Sequence, residues 1–252
     1  SSGTATGTAG SGGGVGTGGA TGSGGAGGAE PCRALSFDGV ATMVHVPDHA
    51  DLDQFGNITI EAWIRPASYP SEVQILSHHD HGAHTGYVLL IFEGSQMQFR
   101  YQDGVDNHPV GYHDVPAGSW HHVAATYDGQ FMRTFVDGMR RANADVGSLS
   151  AADYAGPLRI GLTSHNTNFP FHGIIDEVRL SKVARYAADF TVPTEPFTVD
   201  GDTVALWHFD EPSGQAVLDA TGVHDGTLGD TSAVEGTDPA RVEVPCIDER
   251  FP

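Results

Sequence analysis

The residues best suited to chemistry in this chain of 252 residues gather in three polar stretches. The first, Ser77–His84, reads SHHDHGAH. On an extended chain alternate residues point the same way, so His79 and His81 would share one side with Asp80 on the other. Two imidazoles so placed could share a transition metal. They could equally belong to a polar loop that meets solvent or a ligand. No established metal spacing such as H-E-x-x-H is present, and with 14 histidines in the chain clustering arises easily. The second stretch, Tyr101–Asp114, carries Asp103, Asp106, Asn107, His108, Tyr112 and His113. Acid and amide groups beside tyrosines suit sugar hydroxyls and ring faces. They would also suit calcium, or an ordinary Asp-Gly turn shaped by Pro109 and Gly111. The third stretch, Ser164–Gly173, leaves open whether Phe169 and Phe171 fill the core or make an exposed contact. The residues expected to meet a ligand are His79, Asp80, His81, Asp103, Asp106, Asn107 and Tyr112.

Asp176 is the most pointed single residue. Period-two alternation puts it on one face with Ile174, Val178 and Leu180. A carboxylate on an apolar face must be paired, hydrogen-bonded or bound to a metal. Catalysis has no comparable signal. A retaining glycosidase needs two carboxylates held about 5 Å apart, but Asp176 and Glu177 are neighbours that alternation turns to opposite faces, and Glu61 stands alone beside Trp63. There is no G-x-S-x-G elbow and no cysteine set as a nucleophile. The expectation is a protein that binds and does not convert.

Positioning these groups falls to strands. Trp120–Gly138 reads as two alternating strands joined at Tyr127-Asp128-Gly129, where Asp tolerates and Gly favours positive φ. Further strand-like stretches are Ala34–Phe37, Thr42–Val46, Ile58–Ile64, Gln74–Ser77, Tyr87–Phe92, Gln96–Tyr101, Leu158–Ile160, Ile174–Leu180 and Thr203–Phe209. Short turns rich in Gly, Asp, Pro and Asn separate them, and no long helical period occurs, which predicts an all-β sandwich. One helical turn is expected around Val183–Ala188. Longer loops are expected at His78–Gly86, Asp103–Ser119, Gly147–Gly156 and Thr163–Gly173. Trp63, Trp120 and Trp207 sit inside strands and read as packing residues.

Residues 1–29 are only Gly, Ser, Thr, Ala and one Val. Such a stretch cannot bury enough apolar surface to offset the entropy of ordering, so 1–30 reads as a flexible linker or tether. Residues 31–252 are ample for one large sandwich. The formal charge of −20 opposes binding to nucleic acid or anionic membranes. No apolar run approaches the ~18 residues of a membrane span.

Several phrases resemble the laminin-G-like group of concanavalin A-like jelly rolls in its bacterial extracellular form. They are LSFDG (Leu35–Gly39), ITIEAWIRP (Ile58–Pro66), WHHVAATYDG (Trp120–Gly129), FVDG (Phe135–Gly138), LRIG (Leu158–Gly161) and GIIDEVRLSKVA (Gly173–Ala184), in the family's order. A further phrase, Ala205–Gly229, resembles a segment that often precedes FDG in such domains. Here it follows, and is expected to close the same jelly roll.

The resemblance implies a two-sheet antiparallel jelly roll and adhesion to, or recognition of, a glycan or surface protein. It also implies a structural calcium ion beside Asp176, with Asp38 contributing and backbone carbonyls completing the shell of six to eight oxygens. The first and last strands of such a fold commonly lie side by side. Cys32 and Cys246 would then form a disulfide, with two unpaired thiols as the other reading, and a disulfide implies an oxidising compartment. The leader resembles the tether behind the lipid-bearing Cys of bacterial surface lipoproteins. A secreted or surface-tethered protein is therefore expected, with any lipid anchor upstream of Ser1. Two other functions stand behind the binding module. One is a structural, self-associating subunit of a surface assembly, and the other is a glycan-active hydrolase or lyase.

Overall fold

The computed structural model describes residues 1–4, 32–53, 56–150 and 153–249. The leader, 5–31, lies outside the described residues. The alternating stretches pair into two antiparallel sheets, with strands numbered in chain order. The first sheet runs β10 (Met139–Asp145), β9 (Phe131–Val136), β8 (His121–Asp128), β3 (Asn57–Pro66), β12 (His172–Ser181), β1 (Arg33–Asp38) and β16 (Ala240–Glu243), and β13 (Thr203–Trp207) also pairs with β12. The second runs β14 (Ala216–Val217), β15 (Gly226–Leu228), β2 (Val44–Val46), β11 (Leu158–Ile160), β4 (Val73–Asp80), β5 (Thr85–Phe92), β6 (Gln96–Asp103) and β7 (Asn107–Asp114). The segment 205–229 thus supplies strands to both sheets of the one sandwich, β13 beside β12 and β15 beside β2.

One face of each sheet builds the shared core. Ile60, Ala62 and Ile64 of β3, with Val123, Ala125 and Tyr127 of β8, belong to the same buried cluster as Leu89, Ile91, Phe99 and Tyr101 of the second sheet. Each such side chain contributes roughly 1.5–3 kcal/mol on burial. A smaller cluster forms on the opposite face of the first sheet, where Trp63, Trp120, Phe197 and Leu206 pack together. Trp207 lies in the main core, so all three tryptophans are buried.

Three local expectations need correction. The segment 183–188 forms no helical turn; it is an irregular strap whose Tyr186 ring stacks on Phe190 at 3.6 Å. Its hydrogen bonds go sideways to the sheet, where the Val183 carbonyl accepts from Thr59 Oγ1 and the Tyr186 carbonyl from Thr126 Oγ1. The stretches at 78–80 and 107–114, read as loop, are strand. Pro109 is tolerated because β7 is a sheet edge, where a missing N–H costs no ladder bond. Finally, the alternation along β12 breaks at a bulge. Glu177 takes φ 51°, and the register with β3 shifts between Asp176 and Arg179. Ile175, Val178 and Leu180 face the core, so Asp176 does not share a face with Val178 and Leu180.

Candidate functional site

The outer face of the second sheet carries a groove of about 510 Å³. Its form follows from strand alternation. Tyr87, Leu89 and Ile91 of β5 join the core, which turns Val88, Leu90 and Phe92 the other way. Val88 and Leu90 are nevertheless buried, because polar side chains on the flanking strands close over them. Gln74 and His79 of β4, Gln98 and Arg100 of β6, and Asn107 and Tyr112 of β7 line the groove. His165, Asn166, Asn168 and Phe169, from the connection between β11 and β12, form its remaining wall.

Arg100 organises the floor. Its Nη1 and Nη2 donate to the two carboxylate oxygens of Glu72 at 3.0 and 2.7 Å, and its Nε donates to Gln98 Oε1. The guanidinium also lies 5.3 Å from the Phe92 ring centre. Fork-to-fork pairing of this kind fixes both partners. His79 is buried, and its Nδ1 shares a hydrogen bond with Ser77 Oγ at 2.9 Å. Burial, then the neighbouring His165, His81 and Arg100, push its imidazole down to about 3. It is neutral at physiological pH and serves as a donor or acceptor without charge.

Two aromatic rings border the groove in unusual backbone. Tyr112 is 53% exposed at φ 85°, and Phe169 is 36% exposed at φ 59°. Non-glycine residues in the left-handed region cost of order 1–3 kcal/mol each. Tyr112 is the extra residue of a bulge in β7, where Gln98 pairs with Gly111 and Met97 with His113. Gly111, at φ 140°, is required there, since a Cβ would stand 2.3 Å from the Met97 carbonyl oxygen. Phe169 is held by its carbonyl, which accepts from the Gln74 N–H at 2.9 Å, and by Thr163, whose Oγ1 donates to the Asn168 carbonyl at 2.8 Å. Both rings are re-aimed by strained backbone instead of being left to alternation.

The residues expected to meet a ligand divide into two groups. His79, His81, Asn107 and Tyr112 line the groove. Asp80, Asp103 and Asp106 belong to its turns. Asp80 Oδ1 accepts from the Gly82 and Ala83 N–H groups, and Asp103 Oδ1 from those of Val105 and Asp106. These bonds hold both carboxyls below the usual range despite some burial. Sequence reasoning did not single out Arg100, Glu72, Gln74 or Gln98. Arg100 and Gln98 on alternate positions of one predicted strand were the available signal.

Asp38 and Asp176 cannot share one calcium ion. Asp38 pairs with His172 across β1 and β12, four positions from Asp176, or about 13 Å along the strand. Asp38 Oδ1 instead accepts from the N–H groups of Val40, Ala41 and Thr42 and from Thr42 Oγ1, closing the turn after β1. Asp176, 3% exposed, borders a cavity of about 260 Å³ with Glu177, Glu195, Asp210 and Asp248. The bulge is why neighbouring Asp176 and Glu177 reach the same cavity. This oxygen-rich set fits a hard cation in kind. Two donors already hold Glu177, with His208 Nδ1 at 2.6 Å and the Phe197 N–H at 2.8 Å. Cys32 and Cys246 form a disulfide with Cα atoms 5.3 Å apart.

Glu61, expected to stand alone, is the centre of a closed network. Arg179 Nη2 lies 2.7 Å from its Oε1, and Tyr186 OH and His122 Nε2 lie 2.9 and 3.2 Å from its Oε2. Burial alone would raise its carboxyl; His122 and Arg179 outweigh that and hold it low. No described residue of the groove meets this network, which sits on the other sheet.

A two-layer antiparallel sandwich is the architecture of the concanavalin A-like class. Residues 38–191 match the family model of the concanavalin A-like lectin/glucanases superfamily, in its laminin-G branch. The chain belongs to that family. Among solved structures it is similar to a Bacteroides ovatus protein described as a candidate carbohydrate binder, at 21% identity and a TM-score of 0.66. That match covers 85% of this chain and 60% of the other, so the chain spans under two thirds of that protein's length. It is also similar to the CBM40 module of a Ruminococcus gnavus IT-sialidase bound to α2,3-sialyllactose, at 15% identity and a TM-score of 0.52, covering 61% and 92% of the two chains. At these identities the likeness is one of fold. No curated protein matches the chain.

Proposed function

We propose that this chain is a non-catalytic extracellular module that binds a glycan in the groove between Tyr112 and Phe169. The observation that carries the reading is the pair of exposed rings held in left-handed backbone on the two borders of one polar groove. Tyr112 lies on β7 and Phe169 is hydrogen-bonded to Gln74 of β4, and those two strands are three spacings apart, roughly 14 Å. Rings of this kind stack against the C–H faces of sugars. The imidazole, amide and guanidinium groups between them supply hydrogen bonds to hydroxyls. The Arg100–Glu72 pair cancels its own charge and His79 is neutral, which suits an uncharged oligosaccharide.

Binding without turnover is supported by the acid inventory. Glu72 is the carboxylate among the described lining residues, and both its oxygens accept from Arg100. A pair of free carboxylates about 5 Å apart is what hydrolysis would need. The disulfide supports an oxidising, extracellular setting, and among the described residues no helix is long and apolar enough to cross a membrane. Tethering at an outer cell surface rests on the leader's composition. A structural calcium is proposed through Asp176 alone.

A glycan array probed with the whole chain tests the reading, followed by titration of any hit against Tyr112→Ala and Phe169→Ala. Binding that weakens in both variants supports it. A chain that captures no glycan, or variants that bind like the parent, would remove it.

A further inference from the structure

Away from the groove, the turn joining β2 to β3 carries His49 and Asp51, and the C-terminal segment brings His224 against them. One ligand atom from each of the three lies within 4.8 Å of the others. The His49 and His224 ring centres are 4.9 Å apart. His224 sits in the 218–225 connection between β14 and β15, beyond the residues that match the family.

His224 is the telling residue. It is 3% exposed, and its backbone is locked on both sides: its N–H donates to Asp219 Oδ2 at 2.9 Å, and its carbonyl accepts from Trp207 Nε1 at 3.0 Å. Its ring packs edge-to-face on the His49 ring. A cavity of about 320 Å³, bordered by Asp51, Lys182, Thr221 and His224, gives access from solvent.

We propose that His49, Asp51 and His224 form a zinc-class metal site with three protein ligands and a fourth position open to that cavity. Two imidazoles and one carboxylate are the donors of a borderline divalent ion. Calcium would ask for six to eight oxygens. Zinc bonds of about 2.0–2.1 Å put tetrahedral ligand atoms about 3.3 Å apart. The present spacing therefore closes by a shift of ångström scale, which His49 and Asp51 can make because both are exposed on a short turn. His49 Nδ1 accepts the Asp51 N–H at 3.2 Å, which already orients the two toward each other. Lys182 opposes a cation in the same cavity, and favours water or an anion as the fourth ligand. The site would tie the C-terminal segment to the β2–β3 turn, so binding energy would appear as folding stability.

A second set, Asp48, Asp53 and His78, lies within the same 4.8 Å limit. There His78 Nε2 already bonds Asp53 Oδ1 at 3.1 Å, so that set serves as the control. Zinc chloride is titrated into the whole chain by calorimetry and by thermal melting, with His49→Ala, Asp51→Asn and Asp48→Asn alongside. The parent should bind about one equivalent and melt higher with zinc. His49→Ala and Asp51→Asn, both surface changes, should each lose at least about tenfold in affinity, and Asp48→Asn should behave as the parent. A parent that takes up no zinc, or uptake lost in Asp48→Asn and kept in His49→Ala, overturns the assignment.

Discussion

Arg100 and Glu72 meet through two parallel hydrogen bonds, 3.0 and 2.7 Å long, on the floor of a groove whose sides are aromatic. Each partner is about nine-tenths covered, at 12% and 10% side-chain exposure, so neither charge is well served by water if the other is removed. Glu72→Gln leaves Arg100 half-paired. The variant should unfold at lower urea, by about 1.5–3 kcal/mol, and should bind glycan more weakly because Gln98 loses its anchored neighbour. Urea melts and titration on the same sample check both effects.

Tyr112 combines a backbone cost with an exposed ring. Tyr112→Gly removes the left-handed penalty and the ring together. Stability should rise by up to about 1 kcal/mol, and glycan affinity should fall about tenfold, which corresponds to ~1.4 kcal/mol. Thermal melts and binding isotherms would move in opposite directions. A variant that loses stability would show that the ring packs and does not present itself.

His79 sets one limb of the pH profile. Its folded value is about 3, against 6.5 for the free side chain, so the unfolded chain takes up this proton first. The stability it contributes is complete above pH 6.5 and falls as pH drops from there toward 3. His208 acts in the opposite sense. Its hydrogen bond to Glu177 outweighs burial and raises it, so its contribution is full below 6.5 and fades as pH rises through the raised value. Chemical denaturation across pH 4–9 should show His79→Gln flattening the acid limb and His208→Gln flattening the alkaline one.

The disulfide joins residues 214 apart in sequence. Chain-entropy reasoning for so long a loop gives roughly 5 kcal/mol as an upper figure. The Cys32→Ser, Cys246→Ser double variant should therefore unfold at markedly lower guanidinium concentration than the parent. Reduction of the parent should reproduce the shift.

Calcium at Asp176 predicts a metal-dependent melt. The parent should melt higher in calcium than in EDTA, by an amount that grows with concentration as mass action requires, and Asp176→Ala should abolish the difference. An equal rise in both proteins would place the ion elsewhere.

The layers of the sandwich were legible because alternation and turn chemistry act locally. Trp120–Gly138 forms the hairpin its sequence describes, with Val123, Ala125 and Tyr127 in the core and Asp128 holding the turn through the Gln130 and Phe131 N–H groups. The site was legible only in part. His79, Asn107 and Tyr112 announce themselves by type, but Phe169 reaches the groove because Gln74, far away in sequence, holds its carbonyl. Glu61 looked isolated because Arg179, His122 and Tyr186 arrive from three other places in the chain. Asp176 leaves the face that alternation predicts because one residue, Glu177, shifts the count, and nothing in a single sequence marks a bulge at a non-glycine position.

With Cys32 and Cys246 only 5.3 Å apart at their Cα atoms, the two ends of this body close on one place, and Ile247 just beyond is still buried in it. Spliced into a surface turn of an unrelated scaffold, a segment from Cys32 through the buried Ile247 would ask its host to open a gap close to that of an ordinary hairpin.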